Sequence, residues 1–321
     1  MEELKFGHTS VLLYETVGSL NIIPGGCYVD GTLGGGGHAW HVCSRLSDKG
    51  RFVGIDQDAA AIEAAGERLK EFGGKVTIVR SNYSDMRQVL KNLGITKVDG
   101  IVLDLGVSSY QLDERARGFS YLGNNLLDMR MDTSKGITAK DVVNTYSEEE
   151  LSKILWEYGE EKFSRQIAKN ICKVRINQEI TTTKQLVEII ENSIPKAKQT
   201  GGHPAKRTFQ AIRIEVNNEI KPLYQTIVQC VHCLKEYGRL VVLTFHSLED
   251  RAVKNAMIDL EGKCTCPSDL PYCVCGHESW GKIINKKPIV ATLEEQERNT
   301  RSKSAKLRIF ERREKKEYNK K

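Results

Sequence analysis

The sequence holds no run of about 18 apolar residues, the length needed to cross a bilayer. Its opening, Met1-Glu2-Glu3-Leu4-Lys5, lacks the basic stretch of a secretory leader. These absences argue against a helical membrane protein and against export, so the expected setting is the cytoplasm, with no membrane partner. No internal repeat is present, and nothing in the composition suggests a fibre or a disordered chain. Cysteine occurs nine times, but the setting that would oxidise it is missing. Without an export signal a disulfide framework is not expected, because cytosolic thiols are kept reduced.

Length and charge bound the remaining choices. A chain of 321 residues suits two domains at about 100–200 residues each. The net charge of +6 is unevenly spread. Residues 282–321 hold 14 Lys and Arg against 6 Glu, a net +8, which leaves −2 for the other 281. The tail, Arg312-Arg313-Glu314-Lys315-Lys316 with Lys320 and Lys321, reads either as a solvated end or as a sequence-independent hold on a phosphate backbone. Four cysteines cluster as Cys264-x-Cys266 and Cys273-x-Cys275, beside Pro267, Pro271 and Gly276. They suit either a small tetrahedral site for structural zinc or a loop with free thiols. Cys230 and Cys233 instead share one face of a helical run from Leu223 to Leu234, where core packing is expected.

The most informative stretch is VDGTLGGGGH, Val29 to His38. Four consecutive glycines after a short apolar strand leave no side chains between the backbone and a ligand. Gly26 to Val29 suits a strand and Ala39 to Cys43 the start of a helix, so the glycines sit at a strand-to-helix turn, where nucleotide-like ligands dock in doubly wound sheets. A second strand, Arg51 to Ile55, ends at Asp56, about 20 residues on, where such folds place an acid for ribose hydroxyls. Gly34, Gly36 and Ala39 also satisfy G-x-G-x-x-A, so a nicotinamide or flavin enzyme stays open at this point, as does a non-catalytic RNA-binding protein with a zinc knuckle.

Further strands are expected at Lys75 to Val79 and Gly100 to Leu103, with helices at Ala59 to Phe72 and Met86 to Leu93. This alternation argues for a parallel sheet, with Asp104 at its carboxyl edge facing the glycine turn. From Thr138 to about Ile194 the pattern is wholly helical, with Ser147 and Glu150 spaced as a capping box. Strands return at Gly238 to Thr244, so the helical block reads as an insertion after the fourth strand, a cap suited to substrate selection. A helix from Ala205 is expected to lead back to the sheet domain, with Arg207, Gln210 and Asn217 on one face. Ser247 and Asp250 have capping-box spacing, and His246 beside them is a candidate substrate contact. Final strands are expected at Lys282 to Lys286 and Lys306 to Phe310. The expected division is therefore 1–111 with 205–321, and 112–204.

In order along the chain stand HTSVLLYE, VDGTLGGGGH, GIDQD, VLDLGVSSYQLD, RGFSY, LDMRMD, YGEEKFSRQIA, HPAKRTFQAIRI, TFHSLEDRAVK and RSKSAKLRIFER. This set resembles the RsmH, or MraW, family of S-adenosylmethionine-dependent methyltransferases of bacterial small-subunit ribosomal RNA. The resemblance covers nearly the whole length. It implies a Rossmann-like class I methyltransferase sheet with an inserted all-helical substrate domain, and methylation of N4 of a decoding-centre cytosine in 16S rRNA. It places the cofactor on Gly36, Gly37, His38, Asp56, Tyr83, Asp104 and Gln111. Asp104 becomes the catalytic candidate that orients the amine, and Arg207, Gln210 and His246 the substrate candidates. The implied partner is 16S rRNA or the small subunit, and a homodimer is an open alternative to a monomer.

Overall fold

A computed structural model describes residues 10–199, 202–262, 266–267, 270, 274–276 and 278–317. The chain divides into two compact units, Met1–Gly106 with Ile220–Lys321, and Val107–Glu219.

The first unit is built on seven strands: β1 (Cys27–Asp30), β2 (Arg51–Asp56), β3 (Val76–Arg80), β4 (Val98–Asp104), β5 (Leu234–Thr244), β6 (Glu278–Ile283) and β7 (Lys306–Glu317). Their order is β3-β2-β1-β4-β5-β7-β6. Neighbours from β3 to β5 pair parallel, while β7 runs antiparallel to both β5 and β6. One reversed strand in an otherwise parallel sheet is the Rossmann-like class I arrangement that the resemblance implies. Because side chains alternate along a strand, Val29, Val53, Ile101 and Leu103 fill one face, packed with helices Met86–Asn92, Leu223–Cys233 and Ser247–Glu261. Tyr28, Phe52, Val102 and Leu243 fill the other, with helices Gly37–Cys43 and Ala59–Leu69. Both faces are covered, which is why these strands read as continuous apolar runs. Cys230 and Cys233 lie in the first of these cores, and burial pushes both thiols up. No helix among the described residues is long and apolar enough to cross a membrane.

The second unit is helical, with Ala139–Thr145, Glu148–Gly159, Ser164–Arg175, Thr183–Ser193 and Lys206–Asn217 around its own core of Leu151, Ile167, Ile171, Leu186, Ile190 and Ile212. The expected capping box forms: Glu150 N–H donates to Ser147 Oγ at 3.1 Å, and Ser147 N–H to Glu150 Oε2 at 2.8 Å.

Four sequence expectations need correction, one of them the strand read at Lys282 to Lys286, which is Glu278–Ile283 instead. The helix from residue 206 belongs to the helical unit, which spans 107–219 and not 112–204. Its apolar face, Phe209 and Ile212, joins that core, and Gly159 admits it, since a Cβ there would stand 2.8 Å from the Arg207 carbonyl. The basic tail is not a free end up to residue 317: β7 extends past Phe310, pairing Arg312 with Gly281 on β6. Finally, the cap of the helix after β5 is His246 with Glu249, not Ser247 with Asp250. Asp250 is drawn instead to Arg308 and Lys306 on β7, at 2.6 and 3.0 Å.

Candidate active site

Strand order reverses between β1 and β4, and at such a point a doubly wound sheet leaves a crevice outside the carboxyl ends of its strands. Three acids stand at that edge because each ends its strand: Asp30 on β1, Asp56 on β2 and Asp104 on β4. From β1 the chain turns through Gly31 to Gly36 before helix Gly37–Cys43 begins. Gly34 and Gly36 take φ of 51° and 76°, left-handed values that glycine adopts without steric cost. At Gly35 an added Cβ would meet no described atom within 4 Å beyond its chain neighbours, so the turn presents bare backbone to open space.

Hydrogen bonds tie the turn to its neighbours. Gly34 N–H donates to Asp56 Oδ2 at 2.8 Å, and Asp58 N–H to Asp56 Oδ1 at 2.9 Å. Each carboxylate oxygen can accept two such bonds, so Asp56, which also takes the Gln57 amide, keeps capacity for a hydroxyl donor. Thr32 N–H donates to Asp30 Oδ1 at 3.0 Å, while Thr32 Oγ1 accepts the Asp104 N–H at 2.6 Å. A single threonine thus joins the ends of β1 and β4. Tyr83 opens a short turn after β3, where Asn82 Nδ2 donates to Gln57 Oε1 at 2.9 Å and so fastens the ends of β2 and β3 together.

Burial makes this edge expensive to charge. It raises Asp30 to about 7, with the Asp56 charge adding to the rise. It raises Asp104 to about 8, with further contributions from Asp30 and Glu249. Asp56 is also raised by burial, against the opposing amides of Asp58 and Gly34. The Asp104 side chain keeps 28% of its surface exposed, so water tempers the size of its shift and not the direction. Asp104 Oδ1 has no hydrogen-bond partner among the described residues, and its Oδ2 lies 3.7 Å from His38 Nδ1. His38 supplies no charge to it. Its Nε2 donates to the Val11 carbonyl at 3.2 Å, which leaves Nδ1 as the unprotonated nitrogen of a neutral ring, and burial lowers its pKa to about 4. Among the described residues no Lys or Arg pairs with Asp30, Asp56 or Asp104.

Past β5 the extended backbone of His246 places its Nδ1 to accept the Glu249 N–H at 3.4 Å. Glu249 Oε2 accepts the N–H groups of Phe245 and His246 at 2.7 and 3.3 Å, and its Oε1 lies 2.9 Å from His246 Nε2. Glu249 is 2% exposed and adds a fourth acid to this edge. Sequence reasoning missed Glu249 and Asp30. The first looks like an ordinary helix cap and the second like part of a turn, and only an acid closing an apolar strand signals Asp30.

The other expected residues lie in the helical unit. Gln111 is buried and completes a capping box with Ser108, accepting its N–H at 3.1 Å. Arg207 donates to the Glu160 carbonyl at 3.1 Å and Gln210 to the Tyr158 carbonyl at 2.9 Å, so the polar face of that helix secures the end of its neighbour. Of the four cysteines suggested for zinc, Cys264 and Cys273 lie outside the described residues; Cys266 Sγ accepts the Val274 N–H at 3.3 Å.

Residues 5–313 match the model of the MraW methylase family. Among curated proteins, Ribosomal RNA small subunit methyltransferase H 2 of Agathobacter rectalis is 58% identical over 310 residues, covering 96% of this chain and 99% of the relative. Ribosomal RNA small subunit methyltransferase H of Lachnospira eligens is 57% identical, covering 96% and 98%. The protein of the same name from Clostridium botulinum strain Kyoto is 56% identical, covering 95% and 99%.

Proposed function

The chain belongs to the MraW methylase family, and on that premise we propose that it moves a methyl group from S-adenosylmethionine to N4 of a decoding-centre cytosine in 16S rRNA, in the cytoplasm. The observation that carries this reading is the group of buried acids at the carboxyl edge, which no Lys or Arg neutralises among the described residues. Carboxyls crowded out of water are stabilised as anions by a cationic ligand, and this cofactor brings a sulfonium and an ammonium. The pyrophosphate of a dinucleotide would add negative charge to the same crevice, which disfavours the nicotinamide alternative.

When bound, the cofactor would supply an electrophilic methyl group whose bond to sulfur breaks as the new bond to nitrogen forms, the electron pair staying on a sulfur that leaves as a neutral thioether. Gly36, Gly37 and the backbone of His38 support its amino-acid portion, the remaining acceptor capacity of Asp56 suits ribose hydroxyls, and the Tyr83 ring suits adenine. The cytosine amine is a weak nucleophile because its lone pair is delocalised into the ring. As the nitrogen gains its bond to carbon it must shed a proton. Asp104 Oδ1, an acceptor without a partner, orients the amine and receives that proton. His246 and, in the helical unit, Arg207 and Gln210 are assigned to the RNA. The deciding experiment is transfer of labelled methyl from S-adenosylmethionine to small subunits lacking the modification, followed by nucleoside analysis. Labelled N4-methylcytidine is expected; label in any other nucleoside, or none, overturns the reading.

A further inference from the structure

The amino edge of the same sheet carries a feature of opposite sign. Lys97 immediately precedes β4, so it lies roughly 20 Å along the strand from Asp104, at about 3.3 Å per residue. Between helix Met86–Asn92 and the end of helix Leu223–Cys233 runs a groove of about 870 Å³ whose walls include Arg87, Lys91, Lys97, His232 and Trp280. Arg312 and Lys315 flank it from β7, their charged ends 5.5 and 5.3 Å from the Trp280 ring. The His232 ring stands 4.4 Å from the same indole. Arg312 donates to the carbonyls of His232 and Leu234 at 3.3 and 2.7 Å, and Lys97 also donates to the His232 carbonyl. Against these five cations stand two acids, Asp85 in the wall and Glu278, which pairs with Lys315 at 2.7 Å.

Several observations mark this as a site for an anion. The cations crowd one another: burial first, then Arg312, lowers the pKa of Lys97, and burial followed by Arg312, Lys97 and Arg87 lowers that of His232. His232 Nε2 and Arg312 Nε are buried without a hydrogen-bond partner among the described residues. Trp280 is already engaged by His232 and two cations, so it braces the positive groups and leaves no role for base stacking. A contact of this kind reads charge and not sequence.

We propose that this groove holds the phosphate backbone of the RNA, gripping the substrate well away from the base that reacts. The proposal rests on the RNA-methyltransferase reading above. Leu90, Ile95 and Trp280 give the groove apolar surface as well, but five cations against two acids are a balance suited to a polyanion, and a protein partner is the alternative that the test below separates.

The test is the double variant Arg87→Gln/Lys97→Gln, two exposed side chains outside the crevice. Binding of fluorescein-labelled oligouridine is followed against salt, and KM and kcat are measured for methyl transfer to small subunits. The variant neutralises two fewer phosphates, each worth about 0.7, so the slope of log K against log salt should fall by about 1.4. Between about 50 and 200 mM salt it then sheds about 7-fold less affinity than the parent. KM for subunits should rise several-fold, with kcat and cofactor affinity kept; Lys91→Gln should show about half the change in slope. An unchanged slope overturns the proposal. So does weaker subunit binding with an unchanged oligouridine slope, which points to a ribosomal protein as the partner. If the parent shows the groove-dependent slope yet methylates no subunit, the methyltransferase reading fails and the groove stands.

Discussion

The two edges of one sheet are built to opposite electrostatic rules. At the carboxyl edge Asp30 and Glu249 are buried and Asp56 and Asp104 partly so, and each is raised towards neutrality or held by backbone amides. At the amino edge Arg87, Lys91 and Lys97 stand exposed beside an aromatic brace. The first arrangement suits the compact cation proposed for it, and the second the proposed polyanion. At a separation of roughly 20 Å along β4, a unit charge at one edge acts on one at the other by no more than about 1 kcal/mol at an effective dielectric of about 20, so the two edges are weakly coupled.

The strongest way to break this contrast is Asp104→Asn, which keeps the shape and removes the proposed proton acceptor. Methyl transfer should fall about 100- to 10,000-fold while the folded state survives thermal melting unharmed. In the parent enzyme kcat/KM should rise as pH increases through about 8, because a raised pKa leaves Asp104 protonated and unable to accept below that value. Loss of that rise in the variant is the accompanying signature; full activity would remove Asp104 from the chemistry.

Asp30→Asn attacks the same edge through stability. A carboxyl whose folded pKa is raised from 3.8 to about 7 binds its proton more tightly folded than unfolded, so its stabilising effect is complete below the unfolded pKa and is lost as pH rises through 7. The asparagine variant, melted without cofactor, should therefore gain stability over the parent at pH 8, with about 4 kcal/mol as a ceiling, and show little difference at pH 4. Equal melting temperatures at pH 8 would show that the acid is not strained. Gly36→Ala should cost about 1–2 kcal/mol, because φ of 76° pushes a Cβ against the following carbonyl, and cofactor affinity measured by calorimetry should drop with it. The smallest effect sharpens the contrast: Arg87→Gln/Lys97→Gln should leave the pH profile of transfer where it is, and a displaced profile would show that the two edges communicate.

Much of the first unit was legible because its central strands carry apolar runs that stop at an acid, as at Ile55-Asp56 and Leu103-Asp104. Periodicity was less informative about which core a helix joins. Phe209 and Ile212 announce an apolar face, but the glycine that receives the helix, Gly159, lies on another element and carries no directional signal. The extension of β7 was hidden for a different reason. Arg312 to Glu317 show no apolar alternation, and the segment is held by backbone pairing to β6, an ion pair to Glu278 and the Trp280 ring. The glycine turn and Asp104 were visible as site features. The basic groove was not, because its five cations come from three separate segments, helix Met86–Asn92, the residue before β4, and β7, that only the fold assembles.

The pairing of β4 with β5 also bears on how the chain is made. Asp104 lies opposite Leu243, with the whole helical unit encoded between them. At about 5–20 residues per second, a ribosome synthesising this protein needs roughly 7–28 s to produce the strand that covers β4 after β4 itself has emerged. Throughout that interval one hydrogen-bonding side of β4 has no partner strand, while residues 107–219, contiguous and with a core of their own, are free to fold first. Synthesis therefore imposes an order on the two units, the helical one leading and the sheet closing behind it.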